Sequence, residues 1–190
     1  MSKSLITKNA LAASLKSLIT ENNFDKVTIA DITDNIGLNR QTFYYHFADK
    51  QELLYWIYDN EAFTLTCDLN MENWGEKFND FLKLLRRDRL FYINTIKCSD
   101  DYFEKYLAGI LEELFARAAY ELDTDGLEEK EVKLVARFFS RGVCGLVIDW
   151  ILGGMKQDED EYTRMVYRLV ENVKKTAYIR YSDSADAELN

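Results

Sequence analysis

No proline occurs anywhere in the 190 residues of this chain, and only 8 glycines do. Proline fixes φ and removes a backbone donor, glycine frees φ, and turn-rich architectures place both at their corners. A chain this poor in both has little with which to build the many tight corners of a β-sandwich or barrel, so the expected fold class is all-α. With 47% apolar residues it is long enough to bury a sizeable core, either as one domain or as a small domain sharing a helix with a larger one.

Even the apolar run Val143 to Ile148 is far shorter than the roughly 20 residues a membrane span needs. Lys3, Lys8 and Lys16 break up the start, which therefore does not read as a secretory leader. The expectation is a cytoplasmic protein with no membrane partner. Cys67, Cys98 and Cys144 are odd in number and widely spaced, so they read as reduced core residues and not as a disulfide frame or zinc site.

The formal charge of −9 is unevenly spread. Residues 1–50 hold six Lys/Arg against five Asp/Glu, leaving 18 against 28 for the other 140 residues. A surface for a polyanion can therefore lie only near the N-terminus. A single histidine, His46, rules out any His-based metal centre and any nucleophile–histidine pair elsewhere. No catalytic or phosphate-cradling motif is present, so neither an enzyme nor a cofactor is expected. Glu121, Asp123, Asp125 and Gly126 mimic the start of a calcium loop, but its closing position is Val132, and a connecting turn is the expected reading.

Hydrophobic spacing organises the chain into helices. Thr7 to Asn22 carries Leu11, Leu15, Leu18 and Ile19 on one face. Thr28 with Asp31 forms a capping signal for a short helix bearing Ile29, Ile32 and Ile36. Gly37 suits a tight turn, and Asn39 caps a third helix whose Phe43 and Phe47 point inward; together these make a helix-turn-helix. Asp49 with Glu52 opens a fourth helix running to about Leu69. Five amphipathic helices follow: Trp74–Arg87, Leu90–Lys97, Asp101–Leu122, Leu127–Leu152 and one opened by the Asp158/Glu161 cap. Residues 1–48 are read as a DNA-binding helix-turn-helix domain and 49–182 as a dimerisation and regulatory domain connected through the fourth helix. Residues 183–190 are read as a polar tail.

On a wheel of 100° per residue, Phe43 and Phe47 define the inner face of the third helix. Gln41 and Tyr45 lie opposite, flanked by Arg40 and Tyr44 on one side and Thr42 and His46 on the other. Arginine bonds guanine acceptors, glutamine bonds adenine, threonine meets a thymine methyl, and tyrosine hydroxyls reach phosphate oxygens. Thr28 and Lys50, each beside a helix N-terminus, are the backbone anchors in this reading. The rival is that the exposed tyrosines pack on the fourth helix or grip another protein, which would make the chain a helical adaptor.

The stretches Val27-Thr-Ile-Ala-Asp-Ile, Gly37-Leu-Asn-Arg-Gln-Thr-Phe-Tyr-Tyr-His-Phe and Asp49-Lys-Gln-Glu-Leu-Leu54 resemble the DNA-binding domain of the TetR family of bacterial transcription regulators. The resemblance covers about the first 55 residues. It implies a three-helix DNA-binding domain joined through the fourth helix to a helical domain that dimerises and commonly binds a small-molecule effector. By that resemblance Thr28, Asn39, Arg40, Gln41, Thr42, Tyr44, Tyr45, His46 and Lys50 fall at the operator contacts. Gln41 departs from the small residue common at its position, so base preference is not carried over. Leu54-Tyr-Trp-Ile-Tyr58 and Gly145-Leu-Val-Ile-Asp-Trp-Ile-Leu-Gly-Gly-Met155 are similar to a DhaS-like subgroup that regulates dihydroxyacetone kinase operons. This implies a dimeric activator acting with a co-regulator protein (DhaQ-like) that senses dihydroxyacetone, the alternative being a repressor answering to a small molecule.

The last two long helices supply the expected homodimer interface, at Val143, Leu146, Val147, Trp150, Met165, Leu169 and Val173. Trp74, Phe78, Phe81, Phe91, Tyr102, Phe103 and Tyr106 suit either an effector pocket or plain core packing. Arg86, Arg87 and Arg89 fall at a helix end and are expected on a solvated face.

Overall fold

The computed structural model describes residues 3–66, 68–98, 101–121 and 128–172, and among these every regular element is helical. The helices are α1 Lys3–Ile19, α2 Ile29–Asp34, α3 Arg40–His46, α4 Lys50–Thr66 and α5 Trp74–Arg87. They continue as α6 Arg89–Thr95, α7 Tyr102–Glu121, α8 Glu129–Leu152 and α9 over residues 159–172. Cys67, Val173, the calcium-like turn at 122–127 and the 183–190 tail lie outside the described residues. No described helix is long and apolar enough to cross a membrane.

Helix α1 starts earlier than its apolar spacing suggested and stops at Ile19 instead of Asn22. Its polar first turn continues in helical geometry with no breaker to end it, and the Thr7 hydroxyl donates to the Lys3 carbonyl. At the other end the Thr20 hydroxyl donates back to Ser17 O and the Asn22 amide to Leu18 O, closing the helix early.

Local signals explain α2 to α4. Thr28 and Asp31 form a reciprocal capping box, the Asn39 side chain accepts from Thr42 N, and Gly37 takes φ +66° between the two helices. Asp49 caps α4 by accepting from Glu52 N at 2.8 Å. Phe43, Phe47 and Ile32 are sealed against Leu11 and Leu15 of α1. The buried Ser14 hydroxyl donates to Ile32 O at 2.7 Å and accepts from Asn35 Nδ2 at 3.1 Å, so α1 also meets a polar need of α2.

Helix α4 belongs to both halves of the molecule. Its Leu53, Leu54, Ile57 and Tyr58 are buried, and Tyr58 donates to Thr95 of α6 at 2.7 Å. Beside it the Lys16 ammonium of α1 bridges Glu61 of α4 and Asp88 at the α5–α6 corner, while the buried Tyr92 hydroxyl donates to Glu61. Burial works to raise the Asp88 carboxyl, but hydrogen bonds from Lys16 and Arg87 outweigh it and hold that carboxyl below its ordinary range.

Helices α7 and α8 run antiparallel, with Arg141 on Glu104 and Arg137 on Glu112. The sequence-based view of the arginines at the α5–α6 corner needs correcting for two of the three. Arg86 pairs with Glu159, donates to Gln157 O and covers the Trp150 ring, and Arg89 Nε donates to Gly154 O at 3.1 Å. Both clamp the α8–α9 turn, whose open carbonyls the linear sequence does not reveal, although Arg89 does so from an exposed position; Arg87 is exposed and reaches only Asp88 and Glu61. Trp74, Phe78, Phe81, Phe91 and Phe103 are core residues, whereas Tyr102 and Tyr106 lie half-buried along the α4–α7 seam.

Removing the ammonium strands two partly buried carboxylates, so Lys16→Ala should lower unfolding free energy by about 2 kcal/mol in urea titrations near neutral pH. The depressed Asp88 carboxyl contributes stability above the ordinary carboxylate pKa and loses it as pH falls through its lower folded value. The gap between wild type and variant should therefore close in acid, and a gap that widens there would contradict this junction.

Candidate nucleic-acid interface

Helix α3 has only seven residues, and its orientation rests on which side chains it buries. Phe43 is fully buried and Phe47 nearly so, the latter against Trp56 of α4 with centroids 5.9 Å apart. The opposite side is open: Arg40 and Gln41 are exposed, and Tyr44 and Tyr45 expose 57% and 82% of their surface. His46 is half-buried with Tyr45 edge-on to it at 4.9 Å. Large aromatic side chains left this far in water by an otherwise well-packed helix mark a surface meant to be covered.

Other predicted residues are partly committed within the chain. Asn39 Oδ1 accepts from both Thr42 N, at 2.8 Å, and Thr42 Oγ1, at 3.0 Å, so the two cap α3 and the Thr42 methyl is the group left for contact. The Thr28 hydroxyl donates to Asp31 Oδ2 at 2.7 Å and accepts from Asp31 N at 3.2 Å. Those Thr28 bonds hold the Asp31 carboxyl below its ordinary range, with a smaller contribution from the nearby Arg40 charge.

Lys50 departs from expectation. Its ammonium donates to the carbonyls of Phe24 at 2.8 Å, Asp25 at 3.1 Å and Val27 at 3.0 Å, and lies 4.5 Å from the Phe24 ring centroid. All three donors are used, so Lys50 pins the α1–α2 connection to the start of α4 and is not held out to phosphate. The carbonyls of a short 3-10 turn leave no mark in a sequence, which is why this role was missed. Lys26, exposed in that turn two residues before Thr28, is the neighbouring cation that sequence reasoning passed over.

The predicted dimer residues also divide. Val143, Val147 and Trp150 are buried within the protomer and Leu146 is half-buried, its carbonyl accepting from Tyr162 OH at 2.6 Å. Helix α8 is apolar on two sides because it packs against α7 and α9, and these side chains face inward. Met165 and Leu169, at 55% and 53% exposed, do present apolar surface, as do Leu134, Phe138 and Leu152 of α8.

A short polar helix projecting from a two-helix turn, carried by a connector helix on a helical body, defines a helix-turn-helix transcriptional regulator. Residues 11–55 match the model of the bacterial regulatory proteins of the tetR family, and residues 72–172 match that of the transcriptional regulator C-terminal region. The chain belongs to the TetR family. It is 28% identical over 180 residues, 92% of this chain and 94% of the relative, to the HTH-type dhaKLM operon transcriptional activator DhaS of Lactococcus lactis subsp. lactis (strain IL1403). Among solved structures it is similar to the dihydroxyacetone kinase operon activator DhaS, with a TM-score of 0.74 and 23% identity over 90% of this chain and 98% of that one. It is also similar to the fatty acid degradation regulator FadR from Bacillus halodurans, at 0.62 and 14% over 86% and 93%. The chain is thus a TetR-type regulator related to DhaS, and its homologues are regulators, not enzymes.

Lys50→Ala should lower the thermal midpoint by the equivalent of about 2 kcal/mol while leaving the salt slope of DNA binding unchanged. A variant that melts with the wild type and loses about one unit of slope would return Lys50 to phosphate.

Proposed function

We propose that the protein binds a near-palindromic operator as a homodimer, with α3 of each protomer in a major groove. The exposed face opposite Phe43 and Phe47 carries this reading. Arg40, Gln41, Tyr44 and Tyr45 take the base edges and adjoining backbone, Thr42 offers its methyl, and His46 flanks them. Thr28 and the neighbouring Lys26 meet phosphate at the start of α2, and Asn39 holds the helix end that approaches it. Residues 1–48 then act as the reading head and residues 49–182 as the dimerising and regulatory body. Two-fold symmetry sets the half-sites about one helical turn apart or a small multiple of it.

The dimer surface combines Met165, Leu169 and the outward part of Leu146 with Leu134, Phe138 and Leu152, because these are among the apolar side chains that α8 and α9 leave in water. Similarity to DhaS over nearly the whole chain supports activation of a dihydroxyacetone kinase operon in the cytoplasm, together with a co-regulator protein that senses dihydroxyacetone. Footprinting of the purified protein on genomic DNA, followed by a reporter assay with and without dihydroxyacetone, tests this. An operator upstream of unrelated genes would remove the assignment.

Arg40→Ala should weaken operator binding by roughly 1–3 kcal/mol while changing affinity for unrelated duplex much less, as read by fluorescence anisotropy. Unchanged operator affinity would displace α3 as the reading helix. Met165→Glu combined with Leu169→Glu should shift sedimentation from dimer to monomer, since each places a charge on the proposed contact; a double variant that remains dimeric would move the interface elsewhere.

A further inference from the structure

The seam between α4 and α7 carries a carboxylate that the helix packing does not neutralise. Asp59 of α4 accepts from Tyr102 OH of α7 through both oxygens, at 3.0 and 3.1 Å. Among the described residues no ammonium or guanidinium pairs with it. Burial pushes the Asp59 carboxyl up, and burial followed by the Asp59 bond pushes the Tyr102 hydroxyl up to about 12. Three tyrosines line the same seam. Tyr55 stacks on Tyr102 with centroids 3.9 Å apart and planes within 11°, and Tyr106 lies beside Tyr102 at 6.2 Å and 8°.

Aromatic rings avoid direct face-to-face stacking because their faces carry like partial negative charge, and pairs usually keep their centroids 4.5–7 Å apart. The Tyr55–Tyr102 pair, nearly parallel at 3.9 Å, is closer than that range. Its ring faces and the Asp59 carboxylate therefore concentrate negative potential on one half-buried, solvent-reaching strip. A small metal ion would need several oxygen ligands, and one carboxylate does not supply them. A weakly hydrated organic cation needs aromatic faces and one counter-charge, and both are present here.

We propose that the Tyr55–Asp59–Tyr102–Tyr106 seam is a binding site for a small organic ammonium ion. Asp59 supplies the counter-charge and the tyrosines the π-surface, while Tyr102, held by Asp59, keeps the strip ordered. The site lies on α4, one turn beyond its buried anchors Leu53 and Leu54, where occupancy is felt by the helix that carries the reading head. It does not rest on the operator assignment.

Calorimetric titration of the full chain with choline chloride, at ionic strength matched with sodium chloride, tests the proposal. The controls are the uncharged isostere 3,3-dimethyl-1-butanol and the variant Asp59→Asn, which retains an acceptor for Tyr102. The expected result is saturable choline binding, with the isostere and Asp59→Asn each weaker by about tenfold or more and a circular dichroism melt close to wild type. Should Asp59→Asn fail to fold, Tyr55→Leu, which removes a π-face at a half-buried position, should show the same loss. No saturable binding, equal binding of the isostere, or undiminished binding by the variants would overturn the site. The outcome is read without DNA, so it stands apart from the fate of the Arg40 experiment.

Discussion

The burial of Phe43 and Phe47 is the constraint from which the N-terminal end of the molecule follows. A helix of seven residues has little stability of its own, and its rotation about its axis is set by what it inserts into neighbouring helices. With two phenylalanines seated against α1 and α4, the sector holding Arg40, Gln41, Tyr44 and Tyr45 is turned to water. The caps at Thr28 and Asn39 then set where α2 and α3 begin, while Lys50 ties the approach of the chain to α4 through three carbonyls. The exposed face is thus a consequence of packing on the hidden one.

That head is joined to the body by charge as well as by apolar contact. Lys16, Glu61, Asp88, Arg87 and Tyr92 meet where α1, α4 and the α5–α6 corner converge, and each buried charge there has a partner. An ion pair of this kind contributes modestly to net stability but penalises any arrangement that separates its members. It therefore favours one docking of head on body over others that apolar packing alone would tolerate. The Asp59 seam lies on the same connector helix and lacks such a partner, which is why it invites one from solution.

Much of the helical layout could be read directly from residue order. The extent of α5 follows from Phe78, Phe81, Leu82 and Leu85, and the start of α9 from Asp158, whose Oδ1 accepts from Asp160 and Glu161. The inward Phe43 and Phe47 and the left-handed Gly37 were equally plain. Where reading failed, the partner was distant in sequence or was a main-chain carbonyl. Arg86 and Arg89 looked like a helix-end charge cluster, yet they grip a turn some 65 to 71 residues away.

The absence of proline, the 3.6-residue spacing and the capping residues were enough to specify an all-helical chain with an N-terminal helix-turn-helix, because each acts within a few positions along the backbone. Spatial assembly alone assigned the faces of α8. Its apolar residues surround the axis, and only the arrival of α7 and α9 turned Val143, Val147 and Trp150 into core while leaving Phe138 in solvent. The same holds for Lys50, whose ammonium had no evident destination until folding brought the carbonyls of Phe24, Asp25 and Val27 around it. Periodicity records how much apolar surface a helix has, whereas the choice of neighbour for each side depends on contacts that a linear pattern does not encode.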